Sequence, residues 1–288
     1  MKSVYQLLLL LLFCATIGCN TKPERASSSQ SRYYTDSLYS QELNEYRKHD
    51  IYLPAGFDPS LKYPILYAAD GQFGGPDDYL KRTLDSLIDQ QVIPPLIYAG
   101  SHSNSTETDV AMGQDENGNS FAMQYRFFEY VESEDWSEVD PALDRIFQRH
   151  MNYFTQEFIP TIESEFGQSI DGTYRLFYGV SNGAGFGANL LNKIPDVIGT
   201  YILYSTLGSN AAKNKWEVSN KYPNLYMQYG TEEGEAFQEE AELIRSKYQA
   251  SNSMVDLKVY EGGHEEAIWK VLLPQTLGEI FKLDNSKT

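Results

Sequence analysis

Tyr178-Gly179-Val180-Ser181-Asn182-Gly183-Ala184-Gly185 is the stretch on which the reading of this chain turns. Residues 173–178, which run into it, include Thr173, Tyr174, Leu176 and Phe177, a β-branched, aromatic and apolar set that predicts a buried strand. Residues 182–193, which follow, combine small residues with leucines and contain no proline, so they predict a helix. Between the two stands Gly179-x-Ser181-x-Gly183, the pattern of a strained strand-to-helix turn that lifts a serine hydroxyl above a sheet. Such a turn brings the two backbones close together, and a Cβ at Gly179 or Gly183 is expected to collide. Without that strand and helix the pattern would be an ordinary glycine-rich turn.

Working outward, residues 46–53 predict a strand that ends at Pro54. Residues 63–69 form a near-continuous apolar run, expected as a central strand buried on both faces. Residues 92–100, 197–204, 224–229 and 255–260 predict four more strands. Helical spacing appears in residues 79–90, with Leu80, Leu84 and Leu87 on one face, and again in 235–249 and 265–283. From Pro141, Leu143, Phe147, Met151, Phe154, Phe158 and Ile162 recur at three- and four-residue steps, with a kink expected at Pro160. Alternating strands and helices imply an α/β fold, a mostly parallel sheet covered on both faces, over residues 37–284. Residues 101–140 are polar and acidic with little periodicity, and read as an inserted substrate-side loop region.

The 288 residues carry a net charge of −17, which argues against nucleic acid or an anionic membrane surface as ligand. Lys2 followed by the apolar residues 7–13 and by Thr16-Ile17-Gly18-Cys19 reads as a lipoprotein signal peptide over residues 1–18, with Cys19 lipidated. Thr16 stands where leucine is more usual, and Phe13 argues against processing before Cys14. Residues 19–36, polar and serine-rich at their start, are expected as a flexible tether. An acylated Cys19 would hold the chain at the bacterial cell envelope, periplasmic or surface-facing, without a spanning helix.

A serine hydroxyl needs a base, and the base needs a carboxylate. Of His49, His102, His150 and His264, the last lies in a Gly262-Gly263-His264 loop between the final strand and the final helix, where open α/β sheets build sites. Surface roles suit His49 and His150 better, and His102 is a candidate for the wall of the site. The strand over 224–229 runs into Gly230-Thr231-Glu232-Glu233, which offers Glu233, with Glu232 as runner-up, as the carboxylate. These acids equally suit the start of the next helix. The N–H of Asn182, just after the serine, and that of Gly71 or Gln72, just after the strand over 63–69, are candidate donors to an oxyanion.

With these residues in place the chain resembles the putative esterase family that includes esterase D, enterochelin (ferric siderophore) esterases and bacterial feruloyl esterases. The resemblance rests on residues 51–54, 63–72, 126–130 and 158–163, on the turn around Ser181, and on Gly262-Gly263-His264 with Trp269 beyond it. It implies an α/β-hydrolase fold with an inserted cap region and serine ester hydrolysis without metal or cofactor. It also implies roles for Ser181, for an acid three residues after Gly230, and for His264. Two departures stand out: the acid is glutamate where many relatives have aspartate, and Ala184 follows Gly183 where a second glycine is common.

For substrate, Phe121, Tyr125, Phe127, Phe128, Tyr130 and Trp136 could stack on a phenolic, catechol or sugar ring, or could be the insert's own small core. Arg126 could meet an anionic substrate or pair with Glu129. Arg126, Tyr130, His102 and Trp269 are the candidate substrate contacts. The expected partners are a small-molecule or carbohydrate ester, siderophore esters included, and a membrane through the lipid anchor. A non-catalytic envelope lipoprotein using the same scaffold to bind a ligand or partner is the alternative, and a peptidase a third reading.

Overall fold

In the strand Ile65–Ala68, Ile65 and Tyr67 belong to one apolar cluster and Leu66 and Ala68 to another. Side chains alternate faces along a strand, so this segment has no solvent side. The computed structural model, which describes residues 30–74, 79–114 and 120–284, builds an eight-stranded sheet around it. In chain order the elements are β1 (Arg32–Ser40), β2 (Glu45–Leu53), β3 (Ile65–Ala68), α1 (Tyr79–Asp89), β4 (Ile97–Ser101), β5 (Glu107–Gln114), β6 (Ser120–Gln124), α2 (Tyr125–Tyr130), α3 (Trp136–Val139), α4 (Ile146–Asn152), α5 (Ile159–Glu165), β7 (Arg175–Val180), α6 (Asn182–Lys193), β8 (Thr200–Tyr204), β9 (Asn224–Gly230), α7 (Glu235–Ala250), β10 (Val255–Tyr260) and α8 (Glu266–Asp284). Sheet order is β1-β2-β4-β3-β7-β8-β9-β10, antiparallel at β1/β2 and β2/β4 and parallel from β4 to β10.

Two apolar layers cover the sheet. Leu80 and Leu84 of α1 and Trp269, Leu273 and Leu277 of α8 fill one face. Phe154, Phe158 and Ile162, Phe186 and Leu190 of α6, and Ile244 and Tyr248 of α7 fill the other. The chain leaves β3 for β4 on one side and returns to β7 on the other. The crevice at the C-terminal ends of β3 and β7 is therefore where an open α/β sheet places a ligand.

Several expectations change. The segment read as a signal peptide, Cys19 and residues 19–29 of the expected tether lie outside the described residues. Residues 32–36, expected to be the end of the tether, belong to β1 and pair with β2, Arg32 opposite Leu53 and Asp36 opposite His49. Most of β1 is exposed or half-exposed, so it carries no apolar signature. The insert is not a bare loop: β5 and β6 pair antiparallel, and α2 and α3 follow. Phe128 of the insert forms a small core with Leu143 and Ile146, just beyond it, and Phe127 and Trp136 pack on that core. The ring centroids of Phe128 and Trp136 lie 5.0 Å apart, nearly perpendicular. Between α4 and α5 the helix widens to a π turn at Tyr153–Phe158, just before Pro160. That is where a ring lacking an N–H would crowd the carbonyl four residues back. His49 and His150, expected at the surface, are both buried. Among the described residues no helix is long and apolar enough to cross a membrane.

Candidate active site

Ser181 stands between β7 and α6 at φ 55°, ψ −129°. A non-glycine residue in that region costs about 1–3 kcal/mol, so neighbouring bonds must hold it there. Its N–H donates to Tyr204 O at 3.0 Å, and its carbonyl accepts from Gly185 N at 3.0 Å. A Cβ on Gly179 would lie 2.5 Å from Gly183 O and 2.9 Å from Ala184 N, both main-chain atoms, so only hydrogen fits. Gly183 is less constrained than the sequence suggested. A Cβ there would meet side chains, Asp70 Oδ2 at 3.0 Å and Ala69 Cβ at 3.2 Å. The N–H of Asn182 is in the first turn of α6, where no carbonyl of the helix can accept it.

Gly71 and Gln72 open a single 3₁₀ turn after β3. Gly71 packs so tightly on the end of β4 that a Cβ would fall 2.1 Å from Gly100 O. The Gln72 side chain is already engaged, its Nε2 donating to Ser103 Oγ at 2.6 Å and its Oε1 accepting from Ser103 N at 3.1 Å. Its backbone N–H therefore remains the candidate donor.

His264 follows Gly262, whose φ of 127° belongs to glycine. Its Nδ1 lies 2.7 Å from Glu233 Oε1. The Glu233 side chain is fully buried, and its Oε2 accepts from Gly230 N at 2.8 Å. Glu232 is exposed and its backbone N–H donates to Gly262 O in the histidine loop. Between the two adjacent glutamates, the carboxylate at the imidazole is that of Glu233.

A third set of contacts supports this loop. The Trp269 ring stands edge-on to His264, centroids 4.8 Å apart, and Phe237 lies 5.0 Å away on another side. Tyr260 Oη donates to Gly263 O at 3.2 Å, accepts from Trp269 Nε1 at 3.1 Å and lies 3.0 Å from Ser205 Oγ. Burial raises the Tyr260 pKa, so the hydroxyl keeps its proton at neutral pH.

Ser181 and His264 open onto one cavity of about 380 Å³. No hydrogen bond joins the Ser181 hydroxyl to His264 among the described residues; such bonds are often long in a free enzyme and tighten with substrate. Tyr79, Tyr98, Tyr178, Phe73 and Trp269 line the cavity, so it is aromatic. These rings are not the ones the insert offered. Tyr130 is buried in the main core, where its hydroxyl accepts from Asp70 N at 3.2 Å. His102 stays outside the cavity, its Nε2 3.0 Å from Asp50 Oδ1. Of the expected substrate contacts, Arg126 and Trp269 reach the cavity. Arg126 pairs with Asp70 rather than Glu129, and Glu129 binds Arg47 at 2.6 and 3.0 Å. The missed Tyr178 had a local cue: it shares a face of β7 with Val180, two residues on, which also lines the cavity.

Behind α2, burial pushes the His150 pKa down to about 4 against the opposing pull of Glu129. Burial alone would raise Glu129, but His150 and Arg47 overcome it and hold its carboxyl below the usual value. Among the described residues no three His, Cys, Asp or Glu side chains gather as metal ligands would.

Residues 40–280 match the protein family described as "Putative esterase". The chain belongs to that family. It is an esterase, and its fold is the α/β-hydrolase fold. It is similar to a ferulic acid esterase, at 16% identity and TM-score 0.65, over 88% of this chain and 99% of the other. The enterobactin esterase FES from Shigella flexneri, solved in the presence of enterobactin, gives 16% identity and TM-score 0.66 over 87% of this chain and 59% of the other. A ferulic acid esterase from Anaeromyces mucronatus in complex with ferulic acid gives 14% and 0.64, over 89% and 94%. No curated protein sequence matches this esterase.

Proposed function

We propose that this esterase cleaves carboxylic esters through an acyl-enzyme on Ser181. The observation that carries the reading is the 2.7 Å contact of Glu233 with His264, in a cavity onto which Ser181 also opens. His264 accepts the serine proton as Oγ bonds to the ester carbonyl carbon, and Glu233 stabilises the imidazolium that forms. The carbonyl oxygen, now negative, takes N–H bonds from Asn182 and from Gly71 or Gln72. The tetrahedral centre collapses, the alcohol leaves with the proton from His264, and water repeats the sequence on the acyl-enzyme. Ser181→Ala is expected to fold normally and to abolish hydrolysis of p-nitrophenyl acetate. Turnover at the native rate would refute the assignment. A fluorophosphonate probe should label the native serine, which a purely ligand-binding scaffold would not allow.

The aromatic lining favours an ester with a ring in its acyl part, in keeping with siderophore or plant carbohydrate esters. A panel of feruloyl, acetyl-sugar and catecholate esters tests this, and uniformly slow rates on all of them would reject it. Lipidation at Cys19 would hold the enzyme at the bacterial envelope; the support is the basic, apolar and small-residue run before that cysteine. Palmitate labelling that survives Cys19→Ala would rule this out.

A further inference from the structure

We propose that Arg126 is a positioning residue for the oxyanion turn: it clamps the Asp70 carboxylate and so holds the N–H groups of Gly71 and Gln72 in place. This rests on the reading of those groups as oxyanion donors. Arg126 Nε and Nη2 each lie 2.7 Å from one oxygen of Asp70, a two-pronged pairing of the kind that fixes geometry as well as charge. Burial alone would lower the Arg126 pKa, but the bonds and charge of Asp70 outweigh it, so the guanidinium stays charged. Asp70 is buried and sits at φ 57°, a left-handed conformation uncommon outside glycine though better tolerated by aspartate than by most residues, immediately before the turn. Three further bonds hold it there. Its N–H donates to Tyr130 Oη, its Oδ1 accepts from Ser103 Oγ at 2.7 Å, and its carbonyl accepts from Phe73 N at 2.9 Å.

The clamp is anchored at its far end. α2 carries Arg126 near its start and Glu129 near its finish, and buried Glu129 binds buried Arg47 of β2 and the N–H of Asn104. A helix of the insert thus reaches from the second strand to the turn after the third. Asp70 Oδ2 lies 3.0 Å from where a Cβ of Gly183 would be, against the first turn of α6, whose Asn182 N–H is the other donor. An uncompensated carboxylate there would oppose negative charge growing on the substrate, and Arg126 cancels it.

The test uses the full chain and p-nitrophenyl acetate, a small neutral ester with no anionic group for Arg126 to recognise. Arg126→Met, Arg126→Lys, Asp70→Asn and the Met/Asn double variant are compared with Ser181→Ala, with near-ultraviolet circular dichroism to check folding. Arg126→Met should lower kcat by roughly 30- to 300-fold, somewhat less than the roughly 100- to 1,000-fold cost of removing one oxyanion donor outright, with KM within about threefold. Phenylboronic acid, whose serine adduct is tetrahedral, should weaken in parallel. Arg126→Lys keeps the charge without the fork and should lose less, about 5- to 20-fold. The double variant should be no worse than Arg126→Met alone, because the pair acts as a unit. A native kcat in both Arg126 variants, a loss confined to KM, or additive losses in the double variant would overturn the proposal. If the Met variant does not fold, the Lys variant decides alone. Turnover retained in Ser181→Ala would instead overturn the acyl-enzyme reading, and it is distinguishable because Arg126 is intact in that variant.

Discussion

On the β7 side of the cavity Ser181 is held by main-chain bonds to Tyr204 and Gly185 and by a glycine with no room for a Cβ. On the β9–β10 side His264 sits on a half-exposed loop, held by the side chains of Glu233, Tyr260 and Trp269. The first half is a backbone device, which works only if the strand-to-helix turn closes. The second is a network of side chains around an accessible imidazole, which suits a group that must turn between serine, leaving alcohol and water. The two halves should therefore fail in different ways.

Glu233→Gln tests the second half hardest. The amide can still accept from Gly230 N, but it no longer stabilises an imidazolium or selects the tautomer of His264. On the serine-hydrolase pattern kcat should fall about a thousandfold or more, with the thermal midpoint nearly unchanged. A kcat within tenfold of native would remove Glu233 from the reaction. Glu232→Gln, made in parallel, should leave kcat alone. Gly179→Ala tests the first half. The added methyl meets Gly183 O and Ala184 N, and main chain cannot swing aside. Stability should drop by roughly 3 kcal/mol, read from the urea midpoint, and kcat should fall with it. An unchanged midpoint would mean the turn has slack that the distances deny.

This division also explains what the sequence disclosed. Main-chain constraints leave local marks, so the strand, the serine and the glycines of the turn were readable together within residues 173–185. The central strands could be read because burial on both faces forces continuous apolar runs, as in Ile65–Ala68. β1 left no such mark, because it lies on the sheet edge with most of its side chains outward. From the residues alone Glu232 and Glu233 differ only in which way adjacent side chains face after a strand ends, and it was the family resemblance, with its acid three residues after Gly230, that favoured Glu233. The Arg126–Asp70 pair spans 56 residues of sequence, and the bond from Trp269 to Ser205 spans 64. Contacts of that range arise from the packing of finished elements and have no periodicity to betray them.

The smallest effect belongs to Tyr260, and it separates positioning from chemistry within the histidine half. Its hydroxyl touches neither Ser181 nor His264, yet it faces Glu233 and ties Gly263, one residue before His264, to Trp269 and Ser205. In Tyr260→Phe, Trp269 Nε1 keeps Ser205 Oγ as an acceptor at 3.1 Å, so no buried indole N–H is orphaned. The carbonyl of Gly263 loses its side-chain donor. Stability should fall by about 1 kcal/mol, the usual worth of one such bond. If the hydroxyl does no more than that, kcat will match the native value in every fraction that is folded. If it fixes the plane of the imidazole, kcat should drop about three- to tenfold at unchanged KM, because a misplaced base weakens only the proton transfers. Measuring kcat per labelled active site removes the unfolded fraction from the comparison, so the fall in rate that remains is the share owed to aim.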